Sequence, residues 1–213
     1  MATKPTDEGS GSSAQRERRK RILDATLALS SKGGYDAVQM RAVAEKADVA
    51  VGTLYRYFPS KIHLLVSALE RELQRLHERA SRLPAPGDTA YERARRILRQ
   101  TTNGMQRDPN TTEAMTRAFM FADASVSAEV DAVGRLMDTM FAKAMFSAEP
   151  TDEQRAVARV ISDVWLANLV AWVTRRASAT DVANRLDLTA RLLLSHEDVT
   201  SPPESTAPAD PTA

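Results

Sequence analysis

The sequence of 213 residues contains no cysteine, so it can form neither a disulfide framework nor a thiolate metal site. It contains only three histidines, His63, His77 and His196, and they are far apart along the chain. Histidines spaced in this way lack the short intervals that are typical of zinc sites. We therefore predict a protein without a metal ion, without another cofactor and without a catalytic centre.

Long hydrophobic runs are also scarce. We find no apolar run that we expect to reach the ~20 residues of a membrane-spanning helix. The N-terminus, which is rich in Gly, Ser, Thr and Lys, lacks the apolar stretch of a signal peptide. These absences predict a cytoplasmic protein that does not bind a membrane.

An excess of charge of one sign is nearly absent as well, because 29 Lys and Arg are balanced by 28 Asp and Glu and the net charge is only +1. The two parts of the chain nevertheless differ: residues 1–61 contain eleven Lys or Arg against seven Asp or Glu, and residues 62–213 contain eighteen against twenty-one. The densest basic cluster is at 16–21. Such a cluster is usually a solvated helix face, but beside a DNA-binding motif it favours phosphate contact.

Residues 40–61 carry the most informative pattern, two short helical segments joined by a tight turn at 48–51. In the second segment Leu54 and Phe58 are four residues apart and are expected to face inward, before Pro59 ends the helix. This layout is typical of a helix-turn-helix that reads the major groove, and a dimer of such units reads an inverted repeat. The predicted DNA-contacting residues are Arg41, Val51, Gly52, Thr53, Tyr55, Arg56, Tyr57 and Lys61.

The runs Gly-Thr-Leu-Tyr (52–55) and Phe-Pro-Ser-Lys (58–61) resemble the DNA-binding motif of the TetR family of bacterial repressors. Two positions depart from the family pattern. Asp48 stands where a Gly is usual, and Gln39 stands where a Thr or Ser often caps the helix. Because Asp tolerates a left-handed turn conformation better than most residues, we expect the turn to form.

The resemblance implies an all-α, nine-helix architecture with an N-terminal helix-turn-helix domain and a C-terminal domain for ligand binding and dimerisation. The expected boundaries are a tail at 1–13, a DNA-binding domain at 14–61 that runs into a connector helix at 61–83, a second domain at 84–198 and a tail at 199–213. Apolar periodicity and capping residues set the expected longer helices at Ala14–Ser31, Lys61–Leu83, Ala90–Arg107, Thr111–Ala122, Ser127–Phe146, 152–176 and 178–195.

The eighth helix is apolar on nearly all of its surface, which is more than one core face needs. Either it lies at the centre of the domain, or it packs against a second copy of the chain. TetR-family members build a two-fold interface from their last two helices, so the resemblance favours a homodimer formed through helices eight and nine.

Methionine and phenylalanine are concentrated in helices five to seven. Such a cluster is more often plain core, but TetR-family members usually enclose a small-molecule effector in this part of the chain. Methionine makes a soft and adaptable lining for a large apolar ligand. The predicted ligand-binding residues are Met105, Met115, Phe119, Met120, Met137, Met140, Phe141, Trp165, Asn168 and Trp172.

Further runs, among them 112–119, 158–169 and 174–182, resemble the TetR-type repressors that control cholesterol catabolism in actinobacteria. This resemblance implies operators in steroid-catabolic genes and release from DNA by a steroid-derived acyl-CoA thioester. Ligand binding is then expected to shift helix four, which continues into the DNA-binding domain. The cations available for the CoA moiety are Arg95, Arg96, Arg99, Arg175 and Arg176.

Two other interpretations remain open at the level of the sequence. One is a TetR-type regulator that responds to a fatty acyl-CoA, an antibiotic or another apolar effector. The other is an α-helical enzyme acting on acyl-CoA or a lipid, for which Asp123, Asp138 and Asp163 are the nearest candidate acids.

Overall fold

The computed structural model describes residues 8–82, 87–146 and 149–195, and these contain nine α-helices and no strand. A short 3₁₀ turn at Ala124–Val126 precedes the seventh helix. The predicted tail at 199–213 and most of the tail at 1–13 lie outside the described residues. The helices are α1 (Glu8–Ala37), α2 (Met40–Lys46), α3 (Val51–Tyr57), α4 (Lys61–Ser81), α5 (Ala90–Gln106), α6 (Pro109–Met120), α7 (Ser127–Met145), α8 (Asp152–Val173) and α9 (Ala179–Leu194).

The first helix is longer at both ends than the sequence predicted. It begins at Glu8, so residues 8–13 are helical and do not belong to a tail. Extending an existing helix adds one hydrogen bond for each residue that is ordered, which lets it continue into a Gly- and Ser-rich segment. Gly33 and Gly34 interrupt the helix with non-helical backbone, as expected, but a last turn then follows as far as Ala37.

Helices α2 and α3 form the predicted helix-turn-helix. Asp48 has a φ of 52°, which confirms that an Asp adopts the left-handed conformation of this turn. The turn is closed by the backbone N–H of Val49, which donates to the carbonyl of Ala44 at 3.0 Å. No side chain caps the N-terminus of α2 at Gln39.

The connector α4 joins the helix-turn-helix to the rest of the molecule. Ser60 caps its N-terminus by accepting a hydrogen bond from the backbone N–H of His63. Leu64 and Leu65 are fully buried near its start and Leu73 is fully buried further along, so α4 carries one continuous apolar stripe. It packs against α1, α6 and α7, and therefore contacts both parts of the protein.

Capping boxes fix the starts of three later helices, as the sequence predicted. In each, the N-cap hydroxyl accepts a backbone N–H, and the side chain three residues later accepts the N–H of the N-cap residue. The pairs are Thr89 with Glu92 before α5, Thr151 with Gln154 before α8, and Ser178 with Asp181 before α9.

The sixth helix begins two residues earlier than predicted. The sequence Asp108-Pro109 was interpreted as a break, with the helix starting at Thr111. Instead Pro109 occupies the first turn, where its missing N–H is not needed, and Asp108 is the N-cap. Its carboxylate accepts the backbone N–H of Thr111 at 3.0 Å and the Thr111 hydroxyl at 2.8 Å.

Helix α8 contradicts the expectation that no segment is long and apolar enough to cross a membrane. It has 22 residues, and an 18-residue stretch of it has a mean hydropathy of 1.5. Length and composition alone are weak support for a membrane span, because a packed helix of a helical domain meets the same criteria. Here α8 packs between α7 and α9, and Ile161 and Trp165 lie in the core.

Candidate functional site

The exposed face of α3 is polar, aromatic and basic. Leu54 and Phe58 are buried and anchor the helix in the core, as predicted. Val51, Tyr55 and Arg56 are exposed, and 48% of the Tyr55 side chain remains accessible. An aromatic side chain held in water on a short helix is available for contact with a partner surface.

Gly52 lies on the same exposed face, in the first turn of α3. A Cβ atom at this position would meet no atom of the protein within 4 Å. The fold therefore does not require glycine here, and glycine in a helix costs up to ~1 kcal/mol relative to alanine. Close approach of an external backbone explains the residue better than internal packing does.

A polar cleft separates α3 from the N-terminal part of α1. Its volume is about 350 Å³, and it is lined by Gln15 and Arg18 from α1 and by Arg56 and Tyr57 from α3. Two guanidinium groups that share one open cleft suit an anionic partner such as a phosphate. The sequence indicated the basic cluster at 16–21 but gave no reason to include Gln15.

Other cations of the cluster make contacts within the protein. The Arg19 guanidinium lies 5.5 Å from the centre of the Phe58 ring, and the Arg21 guanidinium lies 3.7 Å from the Asp48 carboxylate. Lys20 pairs with Glu17 at 3.7 Å. Of the remaining predicted residues, Arg41 is exposed and Thr53 is half-buried.

The structure places Lys61 differently from the expected DNA-contacting residues. Its ammonium group lies 3.7 Å from the centre of the Tyr35 ring. Partial burial lowers the pKa of Lys61, and Arg117 lowers it further, whereas Asp36 and Glu113 oppose the shift. Lys61 thus belongs to the contact between α1, α4 and α6 rather than to the exposed face of α3.

Helix α6 is held against the end of α1 by a polar network. The backbone N–H of Tyr35 donates to Glu113 Oε2 at 3.1 Å, and the hydroxyls of Ser30 and Thr111 are 2.9 Å apart. The Arg117 guanidinium covers the Tyr35 ring at 4.3 Å from its centre. A displacement of α6 would therefore move α1, which belongs to the DNA-binding domain expected at 14–61.

The opposite face of α6 lines an apolar cavity between α4, α5, α7 and α8. Its volume is only about 10 Å³, room for about one water molecule. Five of the ten predicted ligand-binding residues line it. The lining residues are Leu69, Leu73, Met105, Thr112, Met115, Thr116, Phe119, Val133, Met137, Trp165, Leu166 and Leu169.

Three other predicted ligand residues do not line this cavity. Met120 is the last residue of α6 and is 53% exposed, because the chain leaves the core there. Met140 and Phe141 are buried, but they pack in the core outside the lining. Phe141 meets Trp165 edge to face, with ring centres 6.1 Å apart. Helical periodicity marked these residues as apolar without showing which neighbour each would contact.

Asn168 and Trp172 also lie outside the cavity lining. Asn168 is buried, and its Nδ2 donates to the carbonyl of Val164 within α8 at 2.8 Å. Trp172 lines a separate small space beside Thr102 and Val182. Leu69, Leu73 and Thr112, by contrast, line the cavity and were not predicted; the stripe on α4 was the available signal for the two leucines.

The candidate acids of the enzyme interpretation lie away from the cavity. Asp123 accepts hydrogen bonds from the backbone and hydroxyl of Ser125, and these lower the pKa of Asp123. Asp138 accepts from Arg159 Nε at 3.2 Å, and Asp163 is exposed. Across residues 8–82, 87–146 and 149–195, no group of three or more Asp, Glu or His could hold a metal ion.

Two protein families match the chain. Residues 22–68 match the family described as "Bacterial regulatory proteins, tetR family". Residues 87–193 match the "Tetracyclin repressor-like, C-terminal domain". The first match covers the helix-turn-helix and the start of α4, and the second covers α5 to α8 and nearly all of α9.

The chain is similar in sequence to known transcriptional repressors. The chain is 73% identical over 183 residues to the HTH-type transcriptional repressor KstR of Rhodococcus jostii, a match that covers 86% of this chain and 85% of that protein. It is 66% identical over 188 residues to KstR of Mycolicibacterium smegmatis, covering 88% and 92%.

A solved structure supports the fold. The crystal structure of Thermus thermophilus FadR, a TetR-family transcriptional repressor in complex with lauroyl-CoA, superposes with a TM-score of 0.68 at 22% identity and covers 90% of this chain and all of that one. With the helix-turn-helix, the nine helices and both family matches in place, the chain belongs to the tetR family of bacterial regulatory proteins and is a DNA-binding transcriptional repressor.

Proposed function

We propose that this repressor binds inverted-repeat operators of cholesterol and other steroid catabolism genes as a homodimer, and that a steroid-derived acyl-CoA thioester releases it. One observation carries the proposal: α6 lines an apolar cavity with one face and holds the DNA-binding part with the other. The similarity to two KstR repressors supports the regulated process.

The DNA-binding role rests on the exposed face of α3. Gly52, Tyr55 and Arg56 occupy the side of the recognition helix that the core leaves free, and a second helix of this kind in the dimer would enter the next major groove. Arg18 and Arg56 in the cleft beside α3 suit a phosphate of the operator backbone. Base contacts then supply specificity, and the cations supply salt-dependent affinity.

Dimerisation through α8 and α9 is supported by apolar side chains that the monomer leaves exposed. Val160 on α8 is 46% exposed, and Leu188 and Leu192 on α9 are 44% and 67% exposed. Such residues on the two last helices fit a self-complementary two-fold contact. The same contact gives α8 a partner for the apolar surface that α7 and α9 do not cover.

The lining of the cavity supports an apolar effector. Its methionine, phenylalanine and leucine side chains suit a large apolar body, and methionine side chains can adjust to an irregular ligand. A cavity of about 10 Å³ cannot hold a sterol without opening, so the ligand must push its walls apart. A fold that changes shape on binding is what a ligand-controlled repressor needs.

The same wall movement couples the two sites. Met115 and Phe119 of α6 and Leu73 of α4 line the cavity, and both helices contact α1. When the ligand displaces these helices, the separation between the two recognition helices of the dimer changes. The two helices can then no longer enter both major grooves at the same time. The ligand then lowers the affinity for the operator by the same factor by which the operator lowers the affinity for the ligand. The coupling free energy behind such a factor is typically ~1–3 kcal/mol.

A fatty acyl-CoA is the second candidate effector. The FadR repressor of the same fold was solved with lauroyl-CoA, and an unbranched acyl chain would need less widening of the narrow cavity than a sterol. The two candidates share the thioester and the nucleotide tail, and they differ only in the body that enters the apolar cavity.

The experiment measures operator binding by fluorescence anisotropy, with a promoter fragment from a steroid-catabolic gene cluster. A cholesterol-derived acyl-CoA, palmitoyl-CoA and free CoA are then titrated into the complex. Release by the steroid thioester at a much lower concentration than by palmitoyl-CoA supports the proposal. Release by palmitoyl-CoA alone transfers the function to fatty acid metabolism, and the absence of release by either thioester overturns the proposed effector.

A further inference from the structure

A second, polar cleft lies between α5 and α9, outside the apolar cavity. Its volume is about 350 Å³, and Arg95, Arg99 and Asn103 of α5 face Asn184 and Asp187 of α9 across it. At this size the cleft can hold a nucleotide-sized group. No described residue that lines the apolar cavity has a charged side chain that could bind such a group.

The charge of this cleft is set by one arginine without an acidic partner. Asp187 accepts from the Tyr91 hydroxyl at 3.0 Å and pairs with Arg95 Nε at 3.2 Å, so its charge is already compensated. Arg99 is exposed and makes no ion pair with any residue in the described part of the chain. The cleft therefore presents an unpaired guanidinium, which suits a phosphate.

A thin partition separates the polar cleft from the apolar cavity. Thr102 lines the cleft, Trp165 lines the cavity, and both line the small space between the two. Trp165 Nε1 donates a hydrogen bond to Thr102 Oγ1 at 3.1 Å, and both side chains are buried. A rotation of the Trp165 ring out of the partition would have to break this hydrogen bond.

The cleft lies mostly on the side of α9 that faces away from the exposed leucines of that helix. Ala183 and Asp187 face the cleft, whereas Leu188 and Leu192 are the exposed apolar residues of α9. At about 100° per residue, Leu188 and Leu192 lie roughly 140–180° around the helix from Ala183. Ala183 therefore lies on the opposite side of α9 from these leucines, while Asn184 lies only about 40° around the helix from Leu188 and borders their surface.

We infer that the α5–α9 cleft binds the phosphate-bearing end of the effector through Arg99, while the apolar end passes the Thr102–Trp165 partition into the cavity. The inference rests on the proposed function, because it assigns the cleft to a CoA thioester. It explains how an effector too large for the closed cavity is held while the cavity opens. It also selects Arg99 from the five arginines that the sequence offered for this role.

The test compares Arg99→Met with Arg96→Met in the full-length dimer. Arg96 is a neighbouring exposed arginine on α5 that does not line the cleft. Direct binding of a steroid acyl-CoA, of palmitoyl-CoA and of the corresponding free acids is measured by calorimetry. We expect Arg99→Met to weaken every thioester that binds by about tenfold, the loss of one charge-assisted contact, and to leave the free acids unchanged. Arg96→Met should bind all four ligands like the original protein.

The outcomes separate this inference from the proposed function. If palmitoyl-CoA binds and the steroid thioester does not, but Arg99→Met still weakens binding, the steroid effector is wrong and the cleft assignment stands. Equal weakening of thioesters and free acids, or no weakening, overturns the cleft assignment whichever effector binds. If no thioester binds at all, both proposals fail.

The partition is tested separately with Thr102→Val, which keeps the shape and removes the acceptor of Trp165 Nε1. With the Trp172→Phe background, Trp165 is the only tryptophan and reports on its own surroundings. We expect the thioester to change its fluorescence severalfold faster in Thr102→Val, because the bond that holds the ring is gone. An unchanged rate contradicts the role of the partition as the entry.

Discussion

Glu113 Oε2 accepts the backbone N–H of Tyr35 at 3.1 Å and so ties α6 to the last turn of α1. Glu113 also lies 3.8 Å from the Arg117 guanidinium, which in turn covers the Tyr35 ring. Gly34 makes the approach possible, because at its φ of 64° a Cβ atom would lie 3.0 Å from the same carboxylate oxygen. This contact joins α6, which lines the cavity, to α1.

Replacing Glu113 with Ala should therefore weaken the communication between the two sites. The Tyr35 N–H loses its partner, which costs ~1–2 kcal/mol in the free energy of unfolding. More specifically, the ratio of operator Kd with and without effector should fall severalfold toward one. The measurements are urea denaturation and operator titrations at saturating effector.

Asp131→Ala is the matched control, because Asp131 is exposed on α7 and pairs with no cation in the described part of the chain. It should keep both the stability and the ratio of operator affinities. If Glu113→Ala lowers stability but leaves that ratio intact, the contact is only structural, and the coupling runs through α4.

Gly52→Ala separates the needs of the fold from those of the operator. The added methyl group meets no atom of the protein, and alanine is the better helix former, so the free energy of unfolding should rise by up to ~1 kcal/mol. Operator affinity should fall about tenfold or more, since the methyl group occupies the space that the DNA approaches.

Gly104→Ala provides the comparison, because a Cβ atom at Gly104 in α5 also meets nothing within 4 Å. It should raise the free energy of unfolding by a similar amount without changing operator affinity. Full operator binding by Gly52→Ala would show that DNA does not approach this point of α3.

Tyr55→Ala and Arg56→Ala should abolish specific operator binding while ligand binding and dimerisation persist. Both side chains are exposed, so their removal leaves the core intact.

Arg56 also lines the cleft with Arg18, so its loss should reduce the slope of log Kd against log salt by about one. Titrations between low and physiological salt test this; Arg79→Ala, an exposed arginine near the end of α4, should keep the slope. Normal repression by either α3 variant would contradict the assignment of the recognition helix.

Helix ends were predictable because their causes are local. The boxes at Thr89, Thr151 and Ser178 need only residues three positions apart, and each starts a helix as predicted. The contact of α6 with α1 could not be predicted, because Ser30 and Thr111 are 81 residues apart and no periodicity reports which helix covers a polar face. For that reason the sequence suggested α4 alone as the connection between the two sites.

The positions of the predicted ligand-binding residues were likewise only partly predictable from the sequence. An apolar residue on a helix face predicts burial, but only the packing of several helices decides whether it faces a cavity, another side chain or water. Met137 and Met140 are three residues apart on α7, yet Met137 lines the cavity and Met140 is in the core outside it. Met120, one residue from Phe119, is exposed because α6 ends there.

Leu192→Arg should convert the dimer to a monomer. Leu192 is 67% exposed on α9, and in the proposed two-fold contact an arginine at this position would bury an unpaired charge in an apolar surface. Sedimentation velocity should show a single species of about half the original mass, and operator affinity should fall by orders of magnitude. Phe121→Arg is the control with the same 67% exposure, beyond the end of α6, and it should remain dimeric. A dimer with Leu192→Arg would place the interface elsewhere.

Asp108 makes the start of α6 sensitive to acid. Partial burial by itself would raise the pKa of Asp108, but hydrogen bonds from the Thr111 backbone and hydroxyl and from Ser31 outweigh it, and the pKa is lowered below 3.8. A carboxyl group whose pKa is lower in the folded than in the unfolded state stabilises the fold above the unfolded value. That contribution to stability disappears as the pH falls below 3.8 and through the pKa of Asp108 in the folded protein.

Asp108→Ala should therefore lower the free energy of unfolding by ~1 kcal/mol at pH 7, as the loss of an N-cap does, and by progressively less in acid. Urea denaturation of both proteins between pH 7 and pH 3 measures the difference. If the difference stays constant across this range, the charge of Asp108 does not stabilise α6.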